Sequence, residues 1–141
     1  RNRLFNVFSF SKYTNDELKI NSLDSLVKEC IIFNSGKNLK YILKNKEKLQ
    51  IKTNLKKHSK TGINVESRFQ YTPFQLIDKL KINNFKPFDV APIHIHILST
   101  ESRKKYPNLH NQISNYIQNQ KKSNLELIPQ ASSFMISARK K

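Results

Sequence analysis

The chain predicts a mixed α+β fold: a small mixed sheet with helices on one face, preceded by a helical hairpin and an N-terminal arm. Two observations carry this expectation. Apolar residues recur at the helical period up to about residue 48, and from Leu49 the period changes to two. Further on, Ile93, Ile95 and Ile97 alternate with His94, His96 and Leu98, the pattern of a half-buried strand. The expected division is an arm over residues 1–13, a helical hairpin over 14–48 and an α+β domain over 49–141. A chain of 141 residues suits one such domain with an extension.

Each element has its own signal. Leu4, Phe5, Val7, Phe8 and Phe10 make the arm apolar, so it is expected to pack on a neighbouring protein or on the domain. Thr14-Asn15-Asp16-Glu17 has the form of a capping box, a hydroxyl followed three residues later by Glu. Leu23, Leu26, Val27, Cys30 and Ile31 then fall on one helical face, and Asn34-Ser35-Gly36 stops it. A second helix is expected over 37–48 on Leu39, Ile42 and Leu43. Leu49, Ile51 and Thr53 predict a strand, Lys56 to Gly62 a basic loop, and Ile63, Val65, Phe69 and Tyr71 a second strand. Thr72-Pro73 is an N-cap and first-turn pair for a short helix on Phe74, Ile77 and Leu80. Pro107 opens a helix carrying Leu109, Ile113 and Ile117. Leu125 with Leu127, and Phe134 with Ile136, predict two closing strands before Arg139-Lys140-Lys141.

Charge sets the expected partner. There are 26 Lys+Arg against 10 Asp+Glu, a net charge of +16 with a pI near 10.1. Self-repulsion at that charge disfavours a compact chain on its own and makes a polyanion its natural counterpart. The excess is concentrated: residues 1–30 carry a net +1, residues 31–70 a net +8 and residues 71–141 a net +7. With 21 Lys, 16 Asn and 15 Ile but 5 Arg, 3 Ala and 2 Gly, the composition also points to an A/T-biased genome, as in some protists and organelles. Such drift inflates lysine without regard to function. The acids were not inflated with it, which favours a nucleic-acid surface over a merely solvated one. The first fifteen residues, basic before Asp16, are compatible with the remains of a mitochondrial targeting segment or with a basic arm laid on RNA.

Several chemistries lack their parts. A single cysteine excludes an internal disulfide framework, and no apolar run reaches the 18 residues of a membrane helix. Two glycines, Gly36 and Gly62, cannot build a phosphate-cradling loop. Cys30 on an apolar helical face reads as a small buried hydrophobe rather than a nucleophile. His94 and His96, two apart on a strand, project from one face and form half of a metal site, with His110 or His58 as a third ligand. The simpler reading makes them the polar side of that strand. No catalytic residue, metal or cofactor is therefore expected.

What remains is a set of cations expected to meet RNA phosphates. Lys37, Lys40, Lys44, Lys46 and Lys48 cover the second helix, and Lys52, Lys56, Lys57 and Lys60 continue beyond it. Arg103, Lys104 and Lys105 form a second cluster, and Arg139, Lys140 and Lys141 a third. Tyr41, Phe69, Tyr71, Tyr106 and Tyr116 are candidates to stack on unpaired bases, with core packing as the alternative for each.

A lysine-rich α+β chain of this size with no catalytic set resembles a ribosomal protein. One stretch narrows the resemblance. Ile93-His94-Ile95-His96-Ile97-Leu98-Ser99 leads into a helix, then Leu127-Ile128-Pro129, then Phe134-Met135-Ile136. That order is similar to the start of the S-ten family of small-subunit ribosomal proteins. It covers about a third of the chain; residues 1–90 have no counterpart, and the family's second helix and final strand have none here. The resemblance implies a structural constituent of an organellar, mitochondrial ribosome in the matrix, with rRNA and neighbouring ribosomal proteins as partners and no small-molecule substrate. The alternative is an accessory, non-catalytic subunit of another mitochondrial complex, respiratory or ATP synthase, and a third is a small nuclease or metal-dependent hydrolase using His94 and His96.

Overall fold

The computed structural model describes residues 1–49, 56–62, 65–96, 98–120 and 125–141. In order, the elements are α1 (Phe5–Phe8), α2 (Lys12–Lys19), α3 (Leu23–Ser35), α4 (Leu39–Leu49), β1 (Lys56–Gly62), β2 (Val65–Gln70), α5 (Pro73–Ile82), β3 (Phe85–Ile95), α6 (Thr100–Lys105), α7 (Pro107–Gln120), a 3₁₀ helix (Leu125–Gln130) and β4 (Ala131–Lys140). The class is mixed α+β, with a helical N-terminal region. Among the described residues the strands form two antiparallel pairs, β1 with β2 and β3 with β4, rather than one sheet.

The first residues are part of the body. Arg3, Leu4 and Asn6 are fully buried. The Asn2 backbone N–H donates to the Ser132 carbonyl at 2.8 Å, and its side-chain amide donates to the Ile128 and Ala131 carbonyls at 2.6 and 2.9 Å. Arg3 meets the equally buried Glu17 of α2, Nη2 to Oε2 at 2.8 Å, while Asn6 Nδ2 and Ser22 Oγ donate to the same carboxylate. Burial pushes the Glu17 carboxyl up, but these donors outweigh it and hold the group below its ordinary value. Arg3 thus ties α2 and the N-terminal segment to the core.

Three corrections concern helices. The α2 cap is Ser11, whose hydroxyl accepts from the Tyr13 N–H while Thr14 Oγ1 accepts from the Ser11 N–H; the expected box from Thr14 to Glu17 does not form, because Glu17 turns inward to Arg3. On α3 the buried positions are Leu26, Glu29, Cys30, Ile32 and Phe33, while Ile31 is 59% exposed. The inward arc has rotated toward Glu29, whose Oε1 accepts from the Phe74 N–H in the first turn of α5 at 2.9 Å. In α7, His110 and Ser114 are buried and Leu109 is exposed.

The α5 cap is as the sequence predicts. Thr72 Oγ1 accepts from the Gln75 N–H, Gln75 Oε1 accepts from the Thr72 N–H, and Pro73 stands in the first turn. Between α3 and α4, a Cβ on Gly36 would lie 2.6 Å from Ile42 Cδ1, so only glycine lets α4 come this close.

The strands depart most from expectation. Leu49 ends α4, while Ile51, Thr53 and Ile63 lie outside the described residues. Lys56 to Gly62, expected as a loop, is itself β1, paired from Lys56 with Gln70 to Gly62 with Val65. Its polar sequence carries no hydrophobic period to announce a strand. β3 begins eight residues before Ile93 and contains Pro87 and Pro92, which an edge strand admits because the missing N–H faces away from the ladder. Leu125 and Leu127, expected in a strand, lie in the 3₁₀ helix that contains Pro129. The final strand on Phe134 and Ile136 is present as β4.

The core joins these parts. Leu4, Leu26, Phe33, Ile42, Ile77 and Ile128 are fully buried and belong to one cluster with Phe74, Val90 and Leu125. The Phe33 and Phe74 rings lie 5.3 Å apart. Burying side chains of this size contributes roughly 1.5–3 kcal/mol each. Cys30 lies in this cluster, its thiol pushed up by burial and by the neighbouring Glu29.

Candidate nucleic-acid interface

The left-handed Asn84, at φ 63°, reverses the chain from α5 into β3. The ladder then pairs Phe85 with Lys140 and Lys86 with Arg139, and the Lys141 N–H donates to the Asn84 carbonyl at 2.8 Å. Residues more than fifty positions apart are thereby placed side by side. At Phe88 the register shifts: Pro87 faces Ala138 and Asp89 faces Ser137, leaving Phe88 as the extra residue of a bulge. Its ring is 56% exposed, and the Arg139 guanidinium lies 5.6 Å from the ring centre.

Opposite this corner runs α4. Leu39 and Ile42 face the core, while Lys40, Lys44 and Lys48 form an exposed stripe one turn apart. Between α4 and β3 lies a groove of about 710 Å³ lined by Leu39, Lys40, Leu43, Lys44, Glu47, Lys86, Pro87 and Phe88. A second depression of about 500 Å³ continues it, sharing Leu43, Lys86 and Pro87 and adding Lys81, Phe85 and Lys141. Five lysines and one carboxylate thus line an apolar floor. Among the apolar residues of the lining, Phe88 is exposed and Pro87 is buried.

Of the expected RNA-binding residues, Lys40, Lys44 and Lys141 line the groove, Arg139 stands beside it over Phe88, and Lys140 is exposed opposite Phe85. Lys37 and Lys48 are exposed nearby in sequence. Lys46 is a correction: its ammonium meets Asp78 of α5 at 2.6 and 2.8 Å and lies 5.6 Å from the Phe74 ring, so it joins two helices instead of facing phosphate. Lys52 lies outside the described residues, and Lys56, Lys57 and Lys60 are placed by their backbone in β1.

Arg103, Lys104 and Lys105 belong to a different part of the surface, on α6. Lys104 and Lys105 are exposed. Arg103 instead lies against His96, Nη1 to Nδ1 at 2.8 Å. Lys81, Lys86 and Phe88 are the residues the sequence reading missed. No local pattern marks them, since Lys86 and Phe88 join the site through the β3–β4 register and Lys81 through the turn that follows α5.

Of the aromatic candidates, Phe69 and Tyr71 lie together, their ring centres 6.3 Å apart. Tyr41, Phe69, Tyr106 and Tyr116 are exposed, and Tyr71 is clasped by Lys79, whose ammonium lies 3.0 Å from the phenol oxygen. His94 and His96 do not share a face: His94 is left-handed at φ 55°, β3 ends at Ile95, and Ile97 lies outside the described residues. Among the described residues, no three His, Cys, Asp or Glu are grouped to hold a metal ion. None of the described helices is long and apolar enough to cross a membrane.

What fold and site define is a small α+β protein with a lysine-lined groove. No protein-family model matches the chain, and neither the comparison with curated proteins nor that with solved structures returned a match.

Proposed function

We propose that the chain binds RNA as a non-catalytic structural constituent of a ribonucleoprotein, with α4 and the β3–β4 corner facing the phosphate backbone. The observation that carries this reading is the convergence of five lysines from α4, α5, β3 and the final residue on one apolar-floored groove beside an arginine-covered phenylalanine. Composition and the ribosomal resemblance favour a mitochondrial ribosome as the particle, with rRNA and neighbouring ribosomal proteins as partners.

Sedimentation of the tagged protein from mitochondrial extract, with and without RNase at moderate salt, tests the assignment. Migration with a ribosomal subunit that collapses after RNase is the expected result. Migration with a membrane complex, indifferent to RNase, contradicts it and favours an accessory subunit of a respiratory or ATP-synthase assembly.

A further inference from the structure

A second cavity system lies on another part of the molecule, between the N-terminal segment, α6 and the start of β4. It has two chambers that share Phe5, His96 and Arg103. One, of about 270 Å³, is walled by Phe8, Phe10 and Leu98; the other, of about 360 Å³, by Arg1, Ser132 and Ser133. An aromatic chamber thus adjoins a cationic, hydroxyl-bearing one, with a histidine–arginine pair at the junction.

Ring contacts and a hydrogen bond surround His96 at the junction. The His96 ring lies 5.3 Å from Phe5 on one side and is stacked on His110 at 5.5 Å on the other. Arg103 Nη1 donates to His96 Nδ1 at 2.8 Å, so that nitrogen carries no proton and the imidazole is neutral. Burial first, then Arg103, His110, His94 and Arg1, push His96 down to about 4. Of these groups Arg103 and Arg1 are the cations, and both favour an arriving anion. Arg1 is itself oriented by the Tyr13 ring, 4.5 Å from its guanidinium carbon.

Phe10 is the unusual residue here. It has a left-handed backbone at φ 44°, and its side chain is 91% exposed. Both features are unfavourable for phenylalanine, and together they hold an unburied ring at the mouth of the aromatic chamber. Core packing does not explain a ring in that position, and a ring so placed is open to stack on a base.

We infer that these chambers hold one unstacked nucleotide of a single-stranded RNA segment, its base against Phe8 and Phe10 and its phosphate between Arg103 and Arg1, with the Ser133 hydroxyl as a further donor. The inference rests on the RNA-binding reading above and adds a site that takes single strands. A free nucleoside monophosphate presents the same chemistry.

The test uses the full chain and two fluorescent RNA probes of equal length, an oligouridylate and a duplex, read by anisotropy. Phe10→Ala should weaken the single strand about tenfold while the duplex changes less than about twofold, and Phe10→Tyr should keep both affinities. Because the Phe10 side chain is almost wholly exposed, its removal leaves the core intact. Lys44→Glu with Lys86→Glu should weaken both probes. If that double variant weakens both and Phe10→Ala neither, the pocket inference falls and the RNA reading stands. If neither probe binds the wild type, both fall. Displacement of the oligouridylate by micromolar uridine monophosphate would assign the pocket to a free nucleotide and overturn the inference.

Discussion

Glu29 shows how one side chain can set the pH response of the whole fold. It is fully buried, and burial pushes its carboxyl up to about 8 against the downward pull of the Phe74 N–H, the Thr72 side chain and Lys46. The unfolded chain releases this proton near 4.5, whereas the folded chain keeps it to about 8. Between those values the unfolded state binds fewer protons, so stability falls as pH rises through that window. Glu29→Gln keeps an acceptor for the Phe74 N–H and removes the titration. It should stabilise the protein by about 4 kcal/mol at pH 8 and by only about 1 kcal/mol at pH 5, measured as the difference in thermal midpoints. An unchanged pH profile in the variant would show that Glu29 is not the titrating group. His96 acts in the opposite sense: held near 4 against an ordinary 6.5, it withdraws stability as pH falls through that range. At this scale the sequence made Cys30 and the Thr72-Pro73 cap legible. It hid Arg3, Glu17 and Glu29, because a charged residue reads as surface until its partner in space is known.

At the scale of elements, legibility followed the strength of the hydrophobic period. α3, α4, α5 and α7 were readable because each has apolar residues three and four apart. β1 was not, since Lys56 to Gly62 pairs through its backbone with no buried face to mark it. β3 was found only at its end, because Pro87 and Pro92 read as breakers while the edge position makes them harmless. The 3₁₀ helix has a strand-like apolar pair, Leu125 and Leu127, but buries Ile128 and Pro129 as well, a period no strand has. The α3–α4 turn gives the sharpest test. Gly36→Ala places a methyl group against Ile42, so α4 must shift or Ile42 leave its rotamer. The expected cost is about 1–3 kcal/mol by denaturant unfolding. No loss would mean that the two helices are more loosely packed than the structure has them.

At the scale of the molecule, the distribution of charge matters more than its amount. The lysine counts along the chain pointed to residues 31–70 and to the tail, and both regions contribute to the groove. Their meeting was not legible, because it depends on the β3–β4 register that sets Lys86 beside Arg139 and on the turn that brings Lys81 to Lys141. Lys46, equal to its neighbours in sequence, is paired with Asp78 of α5 and only part-exposed. The S-ten likeness rested on a segment whose Leu127-Ile128-Pro129 stretch is 3₁₀ helix here, so the RNA-binding proposal stands on the groove rather than on that likeness.

The most direct test of the groove is the salt dependence of RNA affinity. Each phosphate neutralised by a cation contributes close to one unit to the slope of log affinity against log salt concentration. Lys44 and Lys86 are exposed, so Lys44→Glu with Lys86→Glu should leave the thermal midpoint unchanged. The double variant should bind RNA at least about tenfold more weakly near 0.1 M salt, with a slope shallower by about two. Wild-type affinity and slope in the double variant would contradict the assignment of this groove to the RNA backbone.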